Sequence, residues 1–325
     1  MLRAFLAVLL TATQIALLSA IADAAPAAVS PITIYVSDDS VRLGEGVTVY
    51  GKGPARRRLV LQLLTSENGW QEMSALTAGQ DGAYSFRAPA WLGTHQLRVV
   101  AQDALVPIAL ASSTTRRVTV KMSYQPRGQA SDWTWLSDRG ARWDPCRTVT
   151  YRINSSASYQ GATDDIRSAF RQVGLVTGFR FVYLGTTTKQ ITRNKYGYYP
   201  VGTDILVDWQ SPRDDAGLSG GVAAIGGHWV QDGRRFNGYI LLDRTNAHPR
   251  GIWRQVMNHE LGHVLGLGHA RTTSQQMYGA ASSLNQLLGA GDLAALGRVG
   301  ASQGCLKSSA DRGILGSKPA RIDSP

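Results

Sequence analysis

A chain of 325 residues has room for about two domains. Its formal charge of +11 and sequence pI ≈ 9.9 suit adsorption to anionic surfaces, yet no nucleic-acid-binding motif accompanies the charge. Arg56-Arg57-Arg58 reads equally well as a solvated strand start or a binding patch, so specific nucleic-acid recognition is set aside and an anionic cell-wall or extracellular polymer is kept as a partner.

The N-terminus begins with Met1, Leu2 and the basic Arg3, continues through a largely apolar run from Phe5 to Ala22, and reaches the small-residue pattern Ala22-Asp23-Ala24. These are the parts of a secretory signal, so residues 1–25 are read as a signal peptide cut near Ala24 or Ala25 and the product as secreted and extracellular. The apolar run is long enough to leave an uncleaved anchor open, although Thr11, Thr13 and Gln14 interrupt it. No other segment approaches a membrane span and no cysteine stands near the cut to take a lipid, so no stable span is expected after cleavage.

Residues 31–122 read as short alternating strands at Thr33 to Val36, Gly46 to Tyr50, Leu59 to Leu63, Ala83 to Phe86, His95 to Val100 and Arg117 to Val120. Gly44, Gly51, Gly53, Asp81-Gly82 and Gly93 punctuate them, which is the pattern of a small all-β sandwich. Trp70 and Trp91 are candidates for an exposed aromatic platform, with core packing as the alternative. Residues 123–139 are polar and turn-rich, with Pro126 and Gly128, and read as an interdomain linker. Trp133 and Trp135 are odd there unless they dock on a domain, because large apolar rings are unfavourable in water.

A second domain is expected over 140–306, with 307–325 as a flexible polar tail. Thr148 to Ile153 reads as its first strand, followed by a helix opening near Thr163, whose side chain can cap the first turn while Asp164 and Asp165 suit its positive end. Ile166, Ala169, Phe170 and Val173 give that helix an apolar face, and Gly178 ends it. Phe181 to Tyr183, Asp204 to Val207 and Gly238 to Leu242 read as strands, with a run of small residues over 216–227 between the last two. A further helix starts after Pro249-Arg250-Gly251 and runs into the most informative stretch of the chain.

That stretch is His259-Glu260-Leu261-Gly262-His263-Val264-Leu265-Gly266-Leu267-Gly268-His269. A helix advances 3.6 residues per turn, so His259 and His263 project from one face and can grip one metal ion. Gly266 can take the left-handed conformation that ends a helix, letting His269 return as a third imidazole ligand and leaving a fourth position open. Glu260 stands beside that face, where a carboxylate can take a proton from water and pass it to a leaving amine. Such a coincidence of five fixed residues arises by chance on the order of once in a hundred thousand chains of this size.

This run, followed by Ser274-Gln275-Gln276-Met277-Tyr278, resembles the metzincin signature with its methionine turn, and the interval from His269 to Met277 is similar to that of the matrixin branch. Arg142 to Ile153 resembles the opening strand of bacterial matrixin-like domains, and the likeness runs over about 139 to 306. The resemblance implies an α+β metzincin-type catalytic domain, a twisted mixed sheet plus active-site helix, with one catalytic zinc and Met277 as an apolar floor beneath its ligands. It also implies that Gly221, Val222, Ala223, Ala224 and Ile225 form the edge strand that takes substrate backbone as an added strand. Asp81-Gly82-Ala83-Tyr84-Ser85-Phe86 and Leu97 to Val100 resemble bacterial immunoglobulin-like modules, which implies that the sandwich is an immunoglobulin-like domain.

Cys146 and Cys305 are the two cysteines; in an oxidising compartment they should pair and tie the domain's ends together, the competing idea being a zinc-blocking thiolate at Cys146. The function expected is a secreted zinc-dependent endopeptidase, acting as a monomer on protein or peptide substrates, with Glu260 as general base and acid. Only His228 and His248 remain in this domain outside the motif, so no second zinc is expected, and calcium cannot be read from the residues. Gly279-Ala280 stands where matrixins have proline and the wall of the first primed-side pocket, which separates this cleft from theirs. Two other readings share the chain: a surface or polymer-binding protein whose protease domain is residual, and a zinc hydrolase of a non-protein amide.

Overall fold

The computed structural model describes residues 31–103, 108–136, 140–194, 197–200 and 202–307. Residues 1–25, read as a signal peptide, and the residues beyond Lys307, read as a flexible tail, lie outside the described residues.

The first half is two sheets closing on one apolar core. Strands Tyr35–Val36, Thr48–Lys52 and Ala83–Arg87 pair in that order, all antiparallel. The larger sheet runs Ser40–Arg42, Arg116–Lys121, Gly93–Gln102, Arg58–Thr65, Gly69–Thr77, with Ala109–Ser112 added to Gly93–Gln102. Alternation drives the packing: Tyr84 and Phe86 turn inward while Ala83, Ser85 and Arg87 face solvent. Leu59, Leu61, Leu63, Leu97, Val99 and Val118 meet them from the opposite sheet. All six strands expected from the sequence form within a few residues of their expected bounds. Ser40–Arg42, Gly69–Thr77 and Ala109–Ser112 are additions; Gly69–Thr77 is an edge strand with no fully buried position, so it carries little alternation. Trp70 and Trp91 do not make a platform. The Arg98 guanidinium covers Trp70 at 4.3 Å, and Trp91 lies against Gly178 of the second half, where a Cβ would stand 2.8 Å from its Cδ2.

The second half is built on a five-stranded sheet ordered Arg180–Thr186, Thr148–Ile153, Ile205–Gln210, Arg234–Asp243, Ala224–Gln231. The first four are mutually parallel and the last is antiparallel. Ile205–Gln210 is buried at every position, because Ile205, Val207 and Trp209 face the helices while Leu206 faces a second cluster with Ile191, Tyr198 and Leu218. Helix α1 (Ala162–Thr177) packs Ile166, Phe170 and Val173 into the same core as Val256, Leu261 and Val264 of helix α2 (Arg250–Leu265). A short helix α3 (Ala290–Gly297) adds Ala295 and Leu296. α1 begins one residue earlier than expected, fed by a left-handed turn at Gly161, so Thr163 sits inside the first turn and caps nothing; Asp164 and Asp165 do occupy that turn. Asp165 bridges the two helices, taking Arg250 Nε at 2.5 Å and Arg254 Nε at 2.8 Å.

Cys146 and Cys305 are joined as a disulfide across a sequence separation of 159, which excludes the zinc-blocking thiolate. In the chain-entropy picture a loop of that length stabilises by about 5 kcal/mol. The two halves are docked through the turn at 66–69: Ser66 and Glu67 donate backbone N–H groups to Ser302 and Gln303, Asn68 Nδ2 donates to Cys305 O at 2.6 Å, and Glu67 pairs with Arg142 at 2.6 Å. Of residues 123–139, read as a linker, the described part 123–136 is no free tether. Tyr124 donates its hydroxyl to Leu288 O, and Thr134–Trp135 pairs antiparallel with Leu267–Gly268. Among the described residues no helix is long and apolar enough to cross a membrane.

Candidate active site

α2 brings His259 and His263 to one face, with ring centroids 4.6 Å apart. It stops at Gly266, whose φ of 101° is left-handed and whose N–H caps the last turn on Gly262 O and His263 O. No side chain fits at Gly266, because a Cβ would run into the buried Arg235 guanidinium. The reversal turns the chain into the two-residue strand Leu267–Gly268 and returns His269 to the helix face. The ligand nitrogens of His259, His263 and His269 then lie within 4.8 Å of one another, with His263 Nε2 and His269 Nε2 3.2 Å apart.

The tautomers follow from the partners. His259 Nδ1 is 2.9 Å from Gln276 O and His263 Nδ1 is 2.7 Å from Leu267 O. Carbonyl oxygens only accept, so both Nδ1 atoms carry the proton and both Nε2 lone pairs face the common centre. Burial lowers the His259 ring to about 4, and burial with the neighbouring His259 takes His263 well below its ordinary value. The donor set is therefore neutral imidazole. Two nitrogens bound about 2.05 Å from one tetrahedral ion stand about 3.3 Å apart, so the observed spacing fits zinc.

Glu260 is 6% exposed, and burial pushes its carboxyl up to about 8 against the opposing hydrogen bond from Gly226. A cation on the three imidazoles favours the ionised form. Met277, 2% exposed, packs its Sδ against Gly262, where a Cβ would collide with it. The same turn steadies the ligands on both sides, since Gln276 O faces His259 and Met277 O accepts from Ala270 N at 2.9 Å.

The sequence of residues 142–295 matches the matrixin family of peptidases. These residues are a matrixin-like domain. A hatching enzyme of Paracentrotus lividus is 29% identical over 168 residues, covering 49% of this chain and 26% of that protein. The chain thus spans about a quarter of that relative's length. Among solved structures, a β-glucuronidase of Ruminococcus gnavus aligns at 11% identity over 45% of this chain and 24% of its own, with a TM-score of 0.18. The same enzyme with D-glucuronic acid aligns at 8% identity over 73% and 34%, again with a TM-score of 0.18. Scores that low carry no shared fold.

The matrixin-like domain has the α+β metzincin arrangement, and its site lies at the base of a cleft of about 800 Å³. One wall is the outer strand Ala224–Gln231, which among the described residues pairs only with Arg234–Asp243. The expected edge strand is thereby shifted. Ala224 and Ile225 belong to it, whereas Gly221 ends a 3-10 turn (Ala216–Gly221) with a φ of 85° and Val222 and Ala223 lead in. The glycines at 220 and 221 both take positive φ, so the chain turns where an unbroken strand was expected. Gly226 lets this strand touch the helix, because a Cβ there would stand 2.9 Å from Glu260 Cα. Tyr278, Gly279, Ala280 and Ala281 line the other side with Ile252, Gln255 and Val256 of α2.

His228 and His248 stand apart from the three ligands. His228 is buried, with Nδ1 2.9 Å from His263 O and Nε2 accepting from Arg235 Nε at 2.9 Å; burial first, then Arg235, lowers its ring to about 3. His248 lies edge-on to Trp253 at 5.2 Å. The sequence reading missed Asp292, which is fully buried and accepts backbone N–H groups from Gln276, Met277 and Gly289. Its place three residues after Gly289, at the start of α3, was the available signal, since a carboxylate there can reach back to the cap.

Proposed function

We propose that this chain is a secreted zinc endopeptidase that hydrolyses peptide bonds of protein substrates with Glu260 as general base and acid. The observation carrying the reading is the convergence of three neutral imidazoles on one point, beside a buried carboxylate and at the base of an open cleft. His259, His263 and His269 would hold the one catalytic ion. Bound zinc supplies Lewis acidity, polarising the scissile carbonyl and acidifying the attacking water.

The rest of the chemistry belongs to the chain. Glu260 accepts the water's proton and delivers it to the departing nitrogen, a task suited to a carboxyl whose burial raises its proton affinity toward neutral pH. Met277 keeps the ligand helix at fixed depth, and the free side of Ala224–Gln231 takes the substrate backbone as an added strand. The disulfide supports an oxidising, extracellular destination. The two-sheet half supports an immunoglobulin-like module, and the charge of +11 suits an anionic wall or extracellular polymer. The protein is taken to act as a monomer.

The test is incubation of the full chain with denatured proteins, with and without chelator, and mass spectrometry of the new termini. New termini that vanish on chelation support the reading. A Glu260→Gln chain is expected to keep its zinc and lose on the order of 10²–10⁴-fold in rate; full activity in that variant refutes the role given to Glu260.

A further inference from the structure

His269 differs from the other two ligands in lying off the helix. Its ring direction depends on the backbone of 266–272, a short irregular stretch that needs partners on both flanks if the nitrogen is to hold still. The methionine turn supplies one flank, through Ala270 N to Met277 O.

The other flank is supplied from outside the family match. Leu136 N donates to Gly266 O at 3.0 Å, Thr134 and Trp135 pair with Gly268 and Leu267, and Thr134 Oγ1 donates to His269 O at 2.8 Å. Asp132 then accepts the backbone N–H groups of Arg271 at 2.9 Å and Thr272 at 3.1 Å, with the Thr272 hydroxyl at 2.5 Å. The contact is close enough to dictate sequence on both sides: a Cβ on Gly268 would stand 2.7 Å from Trp135 O. Trp133 and Trp135 anchor the segment, edge to face at 5.0 Å, packed on the catalytic core and beneath Arg298 and Arg235 respectively. Their presence in an otherwise polar stretch is thereby explained.

We infer that residues 132–136 form a strap that positions the third imidazole, His269, with Thr134 and Asp132 as its positioning residues. The segment precedes the matched residues 142–295, so the unit that binds metal is longer than the family domain. The strap acts on the ligand's backbone and touches no substrate atom, and the inference rests on the metal site proposed above. Outer partners of metal ligands typically change metal affinity by about 10–100-fold when removed.

The experiment uses the full chain, stripped with chelator and titrated with zinc against a chromophoric competitor, then with cobalt(II), whose visible bands report ligand geometry. Thr134→Val, which deletes the hydroxyl at constant shape, is expected to weaken zinc by about fivefold. Asp132→Ala is expected to weaken it by about 10–100-fold. Both should shift the cobalt bands, and Thr134→Ser should restore the wild-type spectrum and affinity. A purely structural role would lower the unfolding midpoint and leave the bands where they are, which overturns the inference. Wild-type zinc affinity and cobalt bands in Thr134→Val also overturn it, and this variant decides alone if Asp132→Ala does not fold. A wild-type chain that takes up no zinc sinks the metalloprotease reading itself, an outcome distinct from a zinc-binding wild type matched by its variants.

Discussion

The sandwich half and the loop region from Gly266 to Asp292 are interiors of opposite kinds. Among the described residues of 31–122, Thr65 and His95 are the buried polar side chains; everything else inside is aliphatic or aromatic. Around the ligand loop, Gln275, Gln276, Asn285 and Asp292 are buried within a few residues of Met277 and Leu288. Hydrophobic burial is non-directional and tolerates small shifts, whereas each hydrogen bond to a fixed N–H constrains both distance and angle. The first kind of interior is enough to keep a module folded. The second kind is what can hold three nitrogens at tenths of an ångström.

The sharpest way to break this contrast is Asp292→Ala. It orphans the N–H groups of Gln276, Met277 and Gly289 in a dry site, and a loss of about 4 kcal/mol in unfolding free energy is expected, with zinc affinity falling alongside. Urea unfolding and zinc titration measure the two, and unchanged zinc binding would sever the link between polar interior and metal site. Leu61→Ala, at 0% exposure in the sandwich core, should cost about 3 kcal/mol through the cavity it leaves, yet leave zinc affinity untouched. A loss of metal in that variant would show that the two interiors are one.

The smallest effect tests a polar contact at the rim between α1 and α2. Burial alone would raise the Asp165 carboxyl, but hydrogen bonds from Arg250, Arg254 and Tyr159 outweigh it and hold it below the ordinary value. A lowered carboxyl contributes stability above its unfolded pKa, near 3.9, and loses it as pH falls through the folded value. Asp165→Asn is expected to cost about 1 kcal/mol, since both arginines are half-exposed and screened. Denaturant midpoints of wild type and variant should differ by a constant amount above about pH 5 and converge below about pH 4. A gap that persists into acid assigns the contact to packing.

The same contrast explains what could be read from the residues. His259, Glu260, His263 and Gly266 were legible because a helix converts spacing into direction and a glycine marks its end. The strands at Leu59 to Leu63 and Ala83 to Phe86 were legible because alternation is a two-residue signal. Gly69–Thr77 was not, because an edge strand with no buried side chain has no alternation to show. The edge strand expected to begin at Gly221 begins three residues later, because in a run of small side chains nothing distinguishes a turn at Gly221 from a strand at Ala224. Asp132 was invisible for a different reason: its partners lie about 140 residues away, a separation no local period encodes. Asp292 showed locally only its capping place three residues after Gly289, while its bonds to the methionine turn span 15 and 16 residues.

The seam at Cys305 has a consequence for how the molecule is made. The carbonyl oxygen of this residue is held by Asn68, 237 positions earlier, while its sulfur is bonded to Cys146, in the turn just ahead of the strand Thr148–Ile153. Ribosomes deliver residue 305 after every ligand and every wall of the cleft. Both the backbone contacts of the early hairpin tip to residues 302–305 and the waiting thiol must therefore remain unsatisfied through most of translation, so that the disulfide seals the molecule only once every residue of the cleft has been delivered.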